Sequence, residues 1–208
     1  MPLMSAHQQP TKLRSFVTYM GVLIKRLLSR SYSEAIGEKL LNRRVILLDS
    51  PITDEVAEEV IAKMLFLQSR SRQEPIILAI HSRGGLVSSG MAIIDTIREL
   101  DPLVHTCCVE DAYAMAAIIL ASGTRGGRSA VRNARIGFRE TESSANNSEL
   151  ERKRIDQVLI QRTSEVSGIS ATVLRVLFAS GKDLSPIQAL DLGIIDHIVD
   201  QFDPGLRA

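Results

Sequence analysis

The chain contains the residue types of a nucleophilic hydrolase outside any spacing that would assemble them. Ser88 and Ser89 open a helical stretch, His81 and His105 end or occupy strands, and Asp111 precedes a long apolar run. A serine hydroxyl attacks only when an imidazole takes its proton, a carboxylate orients that imidazole, and N–H donors meet the developing oxyanion. A Ser/His/Asp set is combinatorially available here, but capping serines and core-edge histidines are the commoner fates of such residues. Cys107 and Cys108 are consecutive, so they cannot close a loop and lack the spacing of a metal site. In a strand their side chains point to opposite faces, which suits small buried residues in a reducing compartment better than a nucleophile. No phosphate-binding loop and no metal constellation is evident, so neither ATP hydrolysis nor any cofactor is expected.

The elements that must position these residues alternate. Residues 44–48 read as a strand, and Thr53-Asp54-Glu55 opens a helix with a capping threonine and acids in its first turn. Val56, Val60, Ile61, Met64 and Leu65 form its apolar stripe. A strand over 76–80 ends in His81-Ser82-Arg83-Gly84-Gly85, and Met91, Ile94 and Ile97 mark the next helix. The unit repeats with a strand over 103–109 and an apolar helix over 111–121 that stops at Gly123, implying an α/β core. Beyond it, short strands are expected at 130–131 and 136–138 around a turn at Asn133. A helix of about five turns follows over 148–167. Leu150, Ile155, Val158, Leu159 and Val166 fall on one side of it, so half of that helix is expected to need a partner surface. Ser170 and Ser185-Pro186 cap two later helices, the second ending at Gly193, and 194–199 supplies a last strand.

Composition bounds the class. With 208 residues, 45% hydrophobic and 24% charged, the chain is an ordinary globular protein of one domain and an appendage. A net charge of +1 argues against a wholesale nucleic-acid or membrane-surface binder. Lys12, Arg14, Lys25, Arg26 and Arg30 nevertheless lie ahead of the first acid, Glu34, and Phe16, Met20, Leu23 and Leu27 recur among them at helical spacing. A docking arm over residues 1–30 is the favoured reading, and the same basic, acid-free composition also suits an organelle transit peptide. The apolar run 112–121 is too short to span a bilayer.

Several separate runs together resemble one family. They are Met64-Leu65-Phe66-Leu67, the turn Ser82-Arg83-Gly84-Gly85 followed by Gly90-Met91-Ala92-Ile93, Ala112-Tyr113-Ala114-Met115-Ala116-Ala117, and Leu184-Ser185-Pro186 leading to Leu192-Gly193-Ile194-Ile195-Asp196. In this order and spacing they resemble ClpP, the Clp protease proteolytic subunit, a serine peptidase family. The resemblance implies an α/β fold, a crotonase-like spiral of β-β-α units with a long protruding handle helix. It divides the chain into the arm 1–30, a domain over 31–200 and a tail over 201–208. It also implies seven-membered rings that stack, with a Clp AAA+ ATPase docked outside, and a bacterial cytoplasmic or plastid stromal location.

Carried over residue by residue, the resemblance meets three departures. The nucleophile's place falls on Ala114, the histidine's on Arg139 and the aspartate's on Gly181. A methyl has no nucleophilic atom, and a guanidinium stays protonated at neutral pH. Asp183, two residues beyond Gly181, would share its strand face but has no histidine to orient. Gly85 and Met115 occupy the places of the oxyanion-hole amides, although the turn and the helix start would require them in any case. Tyr113 is bulkier than the residues usual beside the nucleophile and would fill the vacated space. The family's glycine-rich substrate strand is replaced by the shorter, glycine-free run 140–147.

The function expected is therefore that of a degenerate, ClpR-like paralogue without intrinsic activity. Its work would be structural, in a mixed or stacked heptameric ring with a catalytic ClpP-type paralogue. The alternatives are an active Clp-type peptidase with a rebuilt site and a crotonase-superfamily acyl-CoA enzyme, against which the stretch 184–196 argues.

Overall fold

The computed structural model describes residues 35–139 and 148–203. The basic arm 1–30, the rebuilt segment 140–147 and the end of the tail lie outside the described residues. The chain divides between Lys39 and Leu40 into two compact units. Of the first, residues 35–39 are described and are helical. The sheet belongs wholly to the second.

The elements of this second unit run β1 (Val45–Leu48), α1 (Asp54–Arg70), β2 (Ile76–Ser82), α2 (Val87–Glu99), β3 (Val104–Tyr113), α3 (Met115–Ala121), β4 (Arg128–Val131), β5 (Arg135–Gly137), α4 (Glu149–Ser167), α5 (Ala171–Ser180), β6 (Asp183–Leu184), α6 (Pro186–Asp191) and β7 (His197–Val199). A parallel layer has the order β1-β2-β3-β4-β7, and β5 and β6 form a branch on β3. Strands buried on both faces read as continuous apolar runs, which is why 76–80 lacks polar alternation.

The caps expected from the sequence at Thr53, Ser170 and Ser185 are present. Thr53 Oγ1 accepts the Val56 N–H and Ser170 Oγ accepts the Thr172 N–H, and Ser148 with Glu151 adds an unanticipated capping box at the start of α4. Ser185 with Gln188 closes a capping box for α6, behind Pro186 at its first turn. At the other end of α1, Arg44 reaches across from the start of β1. Its guanidinium donates to the carbonyls of Leu67 (2.9 Å), Ser71 (3.1 Å), Glu74 (2.8 Å) and Pro75 (3.0 Å). One cation thus satisfies carbonyls that the helix end and the connection to β2 leave open. Arg44→Ala is expected to cost about 2 kcal/mol, read as a lowered midpoint in urea unfolding, since it strands these partly buried acceptors together.

Two expected boundaries are corrected. The segment 111–113 is strand, and the helix begins only at Met115. The physical reason is that β3 changes partners along its length. Thr106–Cys108 pairs with β4, and Asp111–Tyr113 pairs with Arg135–Gly137 of β5, so this second ladder holds the chain extended up to the elbow. Likewise the last strand starts at His197, because Ile194 and Ile195 are buried in the turn that closes on Ala189. On α4, Leu159 and Ile160 are buried while Val158 is exposed.

Candidate functional site

The sheet delivers β3 to α3 through a single residue, Ala114, at φ 48° and ψ −122°. Its N–H donates to Gly137 O (2.9 Å), and its carbonyl accepts the N–H groups of Ala117 and Ile118. A residue with a Cβ pays about 1–2 kcal/mol for a left-handed conformation. A sharp, strained strand-to-helix turn is the device that presents a nucleophile above a sheet. Here it presents a methyl group.

The glycine turn is fitted against this elbow. A Cβ on Gly84 would lie 2.8 Å from Tyr113 O, 2.9 Å from Ala114 Cβ and 3.1 Å from Met115 N, and Gly84 has φ +95°. The turn is pinned from its other side, where Gly84 O accepts the Ile52 N–H (2.8 Å) and Leu86 N–H donates to Ile52 O (2.8 Å). Gly85 bridges to Ile52 between them. Gly85 and Met115, to which the resemblance assigns the oxyanion-hole amides, follow directly on Gly84 and Ala114, which meet at this close approach. Gly84→Ala is expected to cost about 2 kcal/mol, measurable by thermal melting, because a strained φ and a backbone clash coincide there.

Beside the elbow three strands line up in register. Tyr113 of β3 pairs with Gly137 of β5, and Gly137 pairs with Asp183 of β6. Directly paired residues share a face, so the side chains of Tyr113 and Asp183 flank a glycine that contributes none. The ring uses that gap: a Cβ on Gly137 would sit 2.7 Å from Tyr113 Cδ1. Tyr113 Oη thereby reaches across the middle strand and donates to Asp183 Oδ2 (3.1 Å). Residue 139, two beyond Gly137, joins from above. The Arg139 guanidinium donates to Asp183 Oδ1 and lies 4.4 Å from the Tyr113 ring centroid.

These contacts fix the charge states. The hydrogen bond from Arg139 holds the Asp183 carboxyl below its ordinary value against its partial desolvation, with the Tyr113 hydroxyl helping. The same bond pushes Arg139 up, further from any value at which it could accept a proton. Burial, and then the bond to Asp183, pushes the Tyr113 hydroxyl up. The cluster can bind, orient and carry charge, and its carboxylate is engaged by Arg139 and Tyr113.

The remaining sequence candidates fall elsewhere. Gly181 is the left-handed C-cap of α5, at φ 56°, with its N–H on Leu177 O. A Cβ there would meet nothing within 4 Å, so the carboxylate at the site belongs to Asp183. Ser89 is buried and donates to Asp54 Oδ1 (2.5 Å). His81 Nδ1 lies 3.6 Å from Glu110, and burial pushes the His105 imidazole down. Cys107 and Cys108 are buried free thiols, and burial pushes Cys108 up to about 12, too high for a nucleophile at neutral pH. Asp183 is the residue that linear spacing undervalues, and the signal for it is Gly181 itself, since a glycine directly after a helix marks a cap. Among the described residues no three His, Cys, Asp or Glu side chains group as a metal site, and no helix is long and apolar enough to cross a membrane.

Known proteins share this sequence pattern. The family model described as Clp protease matches residues 29–202. The ATP-dependent Clp protease proteolytic subunit 2 of Synechococcus sp. (strain CC9605) is 33% identical over 173 residues, covering 80% of this chain and 88% of that protein. The ATP-dependent Clp protease proteolytic subunit of Dehalococcoides mccartyi (strain CBDB1) is 37% identical over 183 residues, covering 81% and 92%. The subunit 2 of Parasynechococcus marenigrum (strain WH8102) is 32% identical over 178 residues, covering 80% and 88%. With its parallel sheet, branch strands and elbow forming the α/β fold of ClpP and crotonase-like proteins, the chain belongs to the Clp protease family.

Proposed function

We propose that this chain is a non-catalytic subunit of an ATP-dependent Clp protease complex, completing or modifying the chamber wall beside a catalytic paralogue. The observation that carries the reading is the elbow: where a nucleophile would stand there is the Ala114 methyl, and residue 139 is an arginine held by Asp183. Proteolysis then belongs to the complex and runs through the paralogue's sites, with a Clp AAA+ ATPase feeding it. A mixed ring suits this better than a homomeric one, since a chamber of this subunit alone would have no nucleophile at the elbow. The exposed side of α4, where Val158 stands in a shallow hollow among Arg154, Gln157, Gln161, Arg162 and Glu165, is a polar surface on which a partner subunit would pack. The compartment that fits is the bacterial cytoplasm or a plastid stroma. Residues 1–30 fit a docking arm outside the 31–200 domain, and Gly85 and Met115 fit remnants of an oxyanion hole.

The names of the relatives favour a second reading, an active peptidase with a rebuilt site. Native mass spectrometry of complexes purified from the source cell separates subunit roles. The expected species is a ring containing this chain together with a second Clp subunit. Monomers alone, or rings of this chain alone, would contradict the proposal.

A further inference from the structure

The strand register assigns a role to Asp183 that linear spacing gives to position 181: we infer that Asp183 is the positioning carboxylate for whatever side chain residue 139 carries. The inference rests on reading this site as the family's modified catalytic centre. Three observations support it.

The first is the ladder. Asp183 lies directly opposite Gly137, the last residue of β5, and residue 139 follows two places beyond that strand's end. Position 181 likewise lies outside the ladder. It precedes the strand, in a left-handed helix cap whose would-be Cβ meets no atom within 4 Å, and an aspartate there would also carry the strain of φ 56°. The second is contact. Asp183 already holds residue 139 through Oδ1 while Oδ2 accepts the Tyr113 hydroxyl, so both carboxylate oxygens are oriented. Such a carboxylate can fix the tautomer and direction of an imidazole, which is what the third member of a serine triad does. The third is space. Gly137 has no side chain, and the Tyr113 ring occupies the gap, so its hydroxyl carries the contact from the end of β3 across to Asp183. Among the described residues, the other charged groups that act on the cluster are Arg135 of β5, on Asp183, and Asp111 of β3, on Arg139 and Tyr113.

The consequence is that Asp183 needs only two changes around it, and none at 181, to serve in hydrolysis. The covalent step that probes this is the attack of a serine oxygen on the phosphorus of a fluorophosphonate: an O–P bond forms, fluoride leaves, and the serine proton passes to the imidazole.

The test uses the full chain in the Ala114→Ser/Arg139→His background, with and without Asp183→Asn. Folding is checked by circular dichroism, and the introduced imidazole is titrated by NMR. Its pKa is expected above the ordinary value of about 6.5, and that elevation should vanish with Asp183→Asn. Fluorophosphonate labelling, followed by intact mass, should follow the same titration and fall at least about 100-fold with Asp183→Asn, a triad carboxylate being worth up to about 10⁴-fold. Adding Gly181→Asp should bring no gain. An imidazole indifferent to Asp183→Asn, no labelling in the two-site variant, or labelling that requires Gly181→Asp overturns the inference and leaves the non-catalytic reading standing. Labelling of the unmodified chain at a residue of its own would instead overturn that reading.

Discussion

Ala114→Ser alone is expected to leave peptide turnover at background. The elbow would then present a hydroxyl beside the amides near Gly85 and Met115, and a tetrahedral oxyanion could find donors. The proton on that hydroxyl still has nowhere to go. Arg139 is pushed up by its bond to Asp183, so it stays a cation at neutral pH and accepts no proton. Members of a triad act as a unit, and losing the serine or the histidine alone costs about 10⁶-fold in a serine protease, nearly as much as losing all three. Restoring one of them recovers little. Turnover of a fluorogenic peptide by the Ala114→Ser chain well above the roughly 10³-fold to 10⁴-fold over water that binding and an oxyanion hole supply would reveal a base other than residue 139.

Arg128→Met is expected to have the largest effect on stability, a loss of about 4 kcal/mol. Arg128 is inside the molecule, with its side chain 4% exposed, and Asp196 is 20% exposed. Asp196 Oδ1 accepts from Arg128 Nη2 (2.6 Å), while Oδ2 accepts from Arg128 Nε (2.9 Å), Arg128 N (3.0 Å) and Gly126 N (2.8 Å). The remaining arm of the guanidinium donates to Ala121 O at the end of α3 and Ser167 O at the end of α4. One side chain thus joins β4, α3, α4 and the turn before β7. Truncating it leaves a carboxylate and two helix-end carbonyls short of donors, and the measurement is the midpoint of urea unfolding.

The same pair predicts an acid limb. Burial would raise the Asp196 carboxyl, but the bonds from Arg128 and Gly126 outweigh it and hold it down from 3.8 to about 2. A carboxyl depressed on folding contributes stability that is complete above its unfolded value and is lost as pH falls through the folded one. Stability should therefore decline by about 2 kcal/mol between about pH 4 and pH 2, and Asp196→Asn should flatten that part of the profile. The acid effect is smaller than the Arg128→Met effect because protonation neutralises one partner without emptying the space of the other.

Much of this architecture is legible in the residues. Thr53 and Ser185 each announce a helix by a cap whose partner lies three residues on, and a cap is a local interaction. The apolar runs at 45–48 and 76–80 likewise announce buried strands. The elbow is legible only as a position: the resemblance puts the nucleophile's place at Ala114, but residues 111–113 read as helix because their pairing partners lie more than 20 residues away in β5. The cluster at the site depends on pairing across still longer separations. Tyr113 and Asp183 are 70 residues apart and meet only because Gly137 lies between them in the ladder. No periodicity along the chain encodes a three-strand register. Counting residues back from Leu184 therefore leads to Gly181, whereas the side chain that Arg139 and Tyr113 meet is Asp183.

The central claim is that this chain does no peptide chemistry of its own. The most direct measurement is hydrolysis of a short fluorogenic peptide by the purified chain, free of other proteases, with intact-mass analysis after exposure to a serine-directed fluorophosphonate. The account predicts no turnover and no mass increase at neutral and mildly alkaline pH. Turnover accompanied by stoichiometric covalent modification of a residue in this chain would contradict it.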